Sequence, residues 1–252
     1  MMTINYDFSG AVVLVVGATG AIGSETARRF ANAGARLVLA GRDGRAGAAL
    51  QAELGESAVF VPCDVTDPAA HDRAVAAAVQ NFGQLDIAFN NAGWEGTGAA
   101  AADTAEADWL RMMDVKLNGT WRGLKAQARQ MLAQGGSGGS IVNMAGSWGL
   151  VGAAGQAAYC AAAHGVMGLT RAAALDYAGA AIRVNAVCPG AVDTPMLARM
   201  FGGNAAALAG YAASLPMGRT ATPADVAGAV LWLCSADAGY VTGQGVGIAG
   251  GA

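Results

Sequence analysis

Short apolar runs alternate with stretches of helical period from one end of the chain to the other. Ala11–Val16 is apolar and rich in β-branched residues, which predicts a buried strand. Ala21–Ala33 carries an apolar face through Ile22, Ala27, Phe30 and Ala31 and stops at Gly34, which predicts a helix. The alternation continues with strand Leu37–Ala40, helix Asp43–Leu54 ended by Gly55, strand Ala58–Val61 closed by Pro62, helix Pro68–Phe82 ended by Gly83, and strand Leu85–Phe89. Pro68 is expected in a first helical turn, where its missing N–H costs nothing. Helices are expected near Thr104–Met113 and Val115–Gln134, then a glycine-rich loop Gly135–Gly139 and strand Ser140–Met144. A long helix Gln156–Ala178 precedes strand Ile182–Val187, which Pro189 stops. Ala198–Ala213 and Pro223–Cys234 read as helices, and Gly245–Ile248 as a last strand.

Strand runs this short and this apolar, separated by helices, predict an α/β fold with a parallel sheet covered on both faces. No linker or repeat divides residues 1–252, so one domain is expected. Apolar residues make up 54% of the chain and charged residues 13%, with 38 glycines, which excludes a disordered chain. Abundant Ala and Gly allow helices to pack closely on a sheet and on partner subunits; a GC-rich genome would enrich the same residues. The net charge is −3 with no basic run, so nucleic acid and anionic membrane are poor partners. No apolar stretch reaches the roughly 20 residues that span a bilayer. Met1–Gly10 lacks the pattern of a signal peptide. The scattered Cys63, Cys160, Cys188 and Cys234 read as buried free thiols of a cytoplasmic protein. They have no metal-ligand spacing, and His71 and His164 are too few for a histidine metal site, so no metal is expected.

Three turns carry ligand chemistry. Strand Ala11–Val16 runs into Gly17-Ala18-Thr19-Gly20-Ala21-Ile22-Gly23 at a helix start, where glycines let the backbone approach a pyrophosphate. Asn90-Asn91-Ala92-Gly93 and Cys188-Pro189-Gly190 end two further strands, and open parallel sheets bind ligands at such carboxyl ends. Together with Cys63-Asp64-Val65, Tyr159, Arg183-Val184-Asn185 and Asp193-Thr194-Pro195, they fall in the order found in one family. The chain resembles the short-chain dehydrogenases/reductases over its full length.

That resemblance implies a doubly wound Rossmann-type sheet of about seven strands, a homotetramer, and an NAD(P)(H) site. It assigns Gly17, Thr19, Gly20, Ile22, Gly23, Ala92 and Gly93 to the nucleotide. Asp64, with Val65, would meet the adenine, and Asn90 would hold the ribose region. Pro189, Gly190 and Val192 would flank the nicotinamide, and Thr194 would meet its carboxamide. The family's middle glycine is Ala21 here. At the end of the second strand, where an acid would favour NAD, the chain has Gly41 and then Arg42; a guanidinium there suits the 2′-phosphate of NADP(H). NADP(H) is the expected cofactor; the other reading makes Arg42 a solvated loop residue, with Asp43 as an N-cap.

The family's chemistry uses Asn, Ser, Tyr and Lys. Only the tyrosine is kept, as Tyr159, which would exchange a proton with substrate and also touch the cofactor. The lysine position is Ala163, the serine position Gly146 with Ser147 beside it, and the asparagine position Lys116. The family's Asp before the final Gly-Gly is Ala249. An inactivated variant, natural loss of the chemistry, and a rebuilt site remain open. In a rebuilt site, Lys116 would take over the lost charge and Ser147 the lost hydroxyl. The expected substrate is a small apolar or aromatic carbonyl, alcohol or imine compound, walled by Trp94, Met144, Trp148, Met196 and Phe201 under a lid at 194–215 hinged at Gly202-Gly203-Asn204. The alternative is a nucleotide-binding scaffold, or a cyclase or lyase on the same fold.

Overall fold

The computed structural model describes residues 4–135 and 138–251. The expectations for the first three residues, and for positions 136 and 137 of the glycine-rich loop, lie outside the described residues. Seven parallel strands form one sheet in the order β3-β2-β1-β4-β5-β6-β7. They are β1 (Val12–Val16), β2 (Arg36–Gly41), β3 (Ala58–Pro62), β4 (Ile87–Asn90), β5 (Gly139–Met144), β6 (Ile182–Pro189) and β7 (Gly245–Ile248). The helices are α1 (Ala21–Asn32), α2 (Gly44–Leu54), α3 (Ala70–Phe82), α4 (Glu106–Met112), α5 (Gly119–Ala133), α6 (Ala157–Tyr177), α7 (Pro195–Met200), α8 (Ala205–Ser214) and α9 (Pro223–Cys234).

Strand period assigns the two faces. Val12, Leu14 and Val16 of β1 point into one core layer, with α3, α5 and the C-terminal part of α6. Val13 and Val15 point into the other, with α1, α2 and α9. Both faces of β1 are therefore dry, which is why the strand reads as an unbroken apolar run. Phe30 of α1 is fully buried in the second layer, a contribution of about 1.5–3 kcal/mol. The chain winds outward from β1 to β3 and then returns to β4 on the other side of β1. The reversal opens a crevice between the carboxyl ends of β1 and β4, where this sheet type takes ligands.

Three expectations on the helices are corrected. Pro68 lies in the turn before α3 rather than in its first turn. Residues 198–213 do not form one helix: Gly202 (φ +59°) and Gly203 (φ +74°) end α7, and Asn204 caps α8 by accepting from Ala207 N at 3.0 Å. Finally, the segments at 104–113 and 115–134 are one continuous helical rod, α4 and α5, joined by a π-helical turn at Met113–Asn118. Thr120 Oγ1 donates to the Lys116 carbonyl at 2.7 Å, a back-bond that perturbs the regular ladder at this turn.

Candidate active site

A cleft of about 800 Å³ runs along the carboxyl ends of the strands. At one end lie Gly17, Thr19, Gly20 and Ile22 of the first turn, with Arg42, Asp64 and Val65 beyond them. Gly17 has φ +79°, and a Cβ there would come within 2.8 Å of Ala92 N, so only glycine lets the first turn lie against the end of β4. Gly20 caps α1 without a side-chain bond, and no acid occupies the first turn. The N–H groups of Ala21 and Ile22 thus face an anion-binding position at a positive helix end. Gly23 is absent from the cleft wall. A Cβ at Gly23 would lie 2.2 Å from the Gly17 carbonyl oxygen, so this glycine serves helix-to-turn packing.

The first turn, the open helix end and a cleft of about 800 Å³ that runs from Gly17 to Thr194 fit a dinucleotide. Ala92 and Gly93 line its middle, and Pro189, Gly190, Val192 and Thr194 its far side. Thr194 also caps α7, accepting from Leu197 N at 3.3 Å and donating to the Val192 carbonyl at 3.1 Å. Asp64 is held by Thr66, whose N–H and hydroxyl donate to it at 2.9 and 2.8 Å; these bonds keep its carboxyl below the usual range. Arg42 is exposed, while Asp43 caps α2 by accepting from Ala46 N at 3.0 Å. A Cβ at Gly41 would meet Thr19 Oγ1 at 3.1 Å, so this position is cramped for an acid.

Asn90 is corrected. It is buried, and its amide exchanges hydrogen bonds with Gln127 and reaches Asn143 at 3.0 Å, away from the cleft. Its neighbour Asn91 lines the cleft and donates to the Gly17 carbonyl at 3.1 Å, tying β4 to the first turn. The doubled asparagine holds both roles, and strand alternation was the signal that could have separated them: one points in and the next points out.

At the other end stand Tyr159, Lys116, Ser147, Trp94, Met144, Trp148, Met196 and Phe201, all on the cleft wall. The π-helical turn sends Lys116 inward, leaving it 2% exposed. Its Nζ donates to Tyr159 Oη at 3.2 Å and to the Met144 carbonyl at 3.3 Å, and lies 4.4 Å from the Tyr159 ring centroid. Trp148 packs edge-on against Tyr159, with centroids 5.2 Å apart at 86°. Gly146 has φ +83°, and a Cβ there would stand 3.1 Å from Tyr159 Oη, so the serine of the resembling family would be strained in this backbone.

Residues beyond the sequence reading complete the wall: Val151, Leu197, Met200, Tyr211 and Leu215 add apolar surface, and Glu95 and Arg199 a charged rim. Phe201 packs on Tyr211 at 5.2 Å across the Gly202-Gly203 turn. Arg199 of α7 donates to Glu95 at 2.5 Å, and that bond holds the Glu95 carboxyl below its usual range. Arg111 covers Trp94, 4.4 Å from the ring centroid. Cys63, Cys188 and Cys234 are buried, with burial pushing the Cys63 and Cys188 thiols up to about 11; Cys160 is half-buried. Among the described residues no cluster of His, Cys, Asp or Glu could hold a metal ion, and no helix is long and apolar enough to cross a membrane.

Residues 17–252 match the family described as Enoyl-(Acyl carrier protein) reductase. The chain belongs to the short-chain dehydrogenase/reductase family. It is 39% identical over 246 residues to 2,5-dichloro-2,5-cyclohexadiene-1,4-diol dehydrogenase of Sphingobium indicum, covering 97% of this chain and 98% of that one. It is 41% identical over 228 residues to the protein of Xanthobacter autotrophicus named inactive 2-(S)-hydroxypropyl-CoM dehydrogenase 2, covering 89% and 98%. The crystal structure of levodione reductase superposes with a TM-score of 0.91 at 34% identity, covering 97% of this chain and 98% of that one. Relatives matched over nearly the whole chain are named dehydrogenases, and the chain is an oxidoreductase of this family.

Proposed function

We propose that the chain is an NADP(H)-dependent oxidoreductase interconverting an apolar cyclic alcohol and its carbonyl form, with Tyr159 giving and taking the proton. The carrying observation is the position of Tyr159 on a cleft wall shared by a dinucleotide-type turn and an apolar pocket. The cyclohexadiene diol in the name of a relative covering nearly the whole chain supports a ring-shaped substrate. So do the flat walls of Trp94 and Trp148.

When bound, the nicotinamide supplies or accepts the hydride. The chain's own residues do the rest. Ala21 and Ile22 N–H groups would hold the pyrophosphate, and Arg42 would pair with the 2′-phosphate where Gly41 brings no repelling acid. Tyr159 Oη meets the substrate oxygen, and the Ser147 hydroxyl offers it a second hydrogen bond in place of the residue missing at Gly146. Trp148 and the α7–α8 lid exclude water. The exposed Trp121 and Leu132 of α5 and Leu175 of α6 favour a homotetramer packed through these helices.

A second reading is a nucleotide-binding protein without the chemistry. Ala163, Gly146 and the similarity to a relative named inactive favour it. One assay separates the two: incubation with NADP⁺ and cyclic alcohols, and with NADPH and cyclic ketones, following reduced-nicotinamide absorbance. Turnover is expected, and nucleotide binding with no turnover across the panel selects the second reading. Fluorescence titration is expected to give tighter binding of NADPH than NADH, with the preference lost in Arg42→Ala. Equal affinities in the unaltered protein would remove the argument from Gly41 and Arg42.

A further inference from the structure

We propose that Lys116 is the cation that stabilises the Tyr159 phenolate, so that the charge lost at position 163 has been resupplied from a different helix. This rests on the reading of Tyr159 as the proton-exchanging group. The two positions reach the tyrosine by different routes. Position 163 stands one turn from Tyr159 on the same helix, α6. Ala163 is fully buried there and brings no charge. Lys116 comes from the π-helical turn packed against α6, and its Nζ ends 3.2 Å from the phenol oxygen.

The surroundings of Lys116 are those of an ammonium in need of an anion. Its side chain is 2% exposed. None of the ion pairs among the described residues includes it. Its partners are one neutral carbonyl, of Met144, and the phenol with its ring face. Cys188, whose thiol burial pushes up to about 11, is near enough to feel its charge but stays a neutral thiol at physiological pH. Arg171 also acts on Cys188, and no carboxylate is among the groups acting on that thiol. A buried cation with only neutral partners is costly, and an anion at Tyr159 Oη would complete a short ion pair. The phenolate accepts the hydroxyl proton of the substrate alcohol and becomes a phenol. Lys116 acts through Tyr159 and is a positioning residue.

The π-helical turn is what makes the arrangement reachable. π-helical turns concentrate at functional sites because they redirect side chains within an otherwise regular rod. Thr120 holds this one by its bond to the Lys116 carbonyl, and Gly119 gives it room against Val65, 2.9 Å from where a Cβ would stand.

The test compares the unaltered protein with Lys116→Met and with the double variant Lys116→Ala/Ala163→Lys. Lys116→Met replaces a buried cation by an apolar chain of similar length and is expected to fold and to bind NADPH within about threefold of the original. The phenolate absorption band of Tyr159, isolated by subtracting the spectrum of Tyr159→Phe, is expected to grow in at higher pH in Lys116→Met. Turnover near neutrality is expected to fall at least about tenfold, with the pH profile displaced to higher pH. The double variant is expected to recover part of the turnover and to return the profile toward its original position. Phenolate bands that rise at the same pH with and without Lys116 overturn the proposal, as does a turnover and pH profile that Lys116→Met leaves unchanged. If the unaltered protein turns over no substrate, the functional reading falls, and the absorbance comparison still decides for or against Lys116.

Discussion

At the glycine turn between β1 and α1 the cleft is shaped by backbone; at the β5–α6 end it is shaped by side chains. The first end is fixed by Gly17, by the bare start of α1 and by Asn91 bonding the Gly17 carbonyl. The second depends on where Lys116, Ser147, Trp148 and Tyr159 point. A backbone site tolerates few residue types at a few positions, so it keeps its sequence pattern. A side-chain site can be refilled from a neighbouring element, and under the proposal above Lys116 of the rod α4–α5, 3.2 Å from Tyr159 Oη, supplies the cation. Loss of a residue from its expected position therefore says little about loss of its charge from the pocket.

The comparison is sharpened most by Tyr159→Phe. Removing one hydroxyl at the side-chain end is expected to cut turnover by about 10²–10⁴-fold while NADPH affinity stays within about threefold. A fluorescence titration beside a steady-state assay reads both. An equal fall in affinity would mean that the two ends are not separable.

The next effect lies beneath the backbone end. His71 and Asn90 converge on Gly123: a Cβ there would lie 2.7 Å from Asn90 Oδ1 and 3.1 Å from His71 Nδ1. Both His71 nitrogens are buried and find no hydrogen-bond partner among the described residues, and burial pushes its pKa down to about 4. In the unfolded chain the imidazole titrates at its ordinary value near 6.5. The unfolded state therefore binds the proton first, and stability falls as pH drops from about 6.5 towards 4, by up to about 3 kcal/mol. Urea denaturation at pH 7 and pH 4.5 is expected to show this loss in the original protein and much less of it in His71→Leu. The same loss in both would assign it to other groups.

Gly23→Ala attacks the backbone end directly. Its methyl group would press on the Gly17 carbonyl, with an expected destabilisation of about 1–3 kcal/mol and weakened NADPH binding. Thermal unfolding and titration would register it. Full stability with full affinity would mean that the turn yields more easily than its contacts imply. The smallest effect belongs to the lid. Arg199 is exposed and its pair with Glu95 stands at the rim, so Arg199→Met is expected to cost under about 1 kcal/mol of stability. Its visible consequence is expected in KM, raised a few-fold with kcat nearly unchanged.

The alternation of strands and helices was legible because the central strands β1, β2, β4, β5 and β6 are largely buried apolar runs and helices end at glycines such as Gly34, Gly55 and Gly83. Seven parallel strands follow from it. The split of 198–213 at Gly202-Gly203 was visible as a hinge but not as a helix end, since strong helix formers stand on both sides, Met-Leu-Ala-Arg-Met before it and an alanine-rich run after it. The π-helical turn at 113–118 left no mark in apolar spacing, because it depends on a side-chain bond from Thr120 to a carbonyl one turn back. The sequence reading put Asn90 at the cofactor and gave Asn91 no role, whereas Asn91 lines the cleft and Asn90 bonds beneath the sheet end, because only the alternation of the strand separates two adjacent asparagines.

Isotope transfer tests the central claim most directly. NADPH carrying deuterium on the transferred position of the nicotinamide ring is incubated with the protein and a cyclic ketone, and the product is weighed by mass spectrometry. One deuterium on the carbinol carbon is the expected result, with almost none in Tyr159→Phe over the same time. Tight NADPH binding without deuterium in any product, across ketones that fill the Trp94–Trp148 pocket, would contradict the account and leave a nucleotide-binding protein on an oxidoreductase fold.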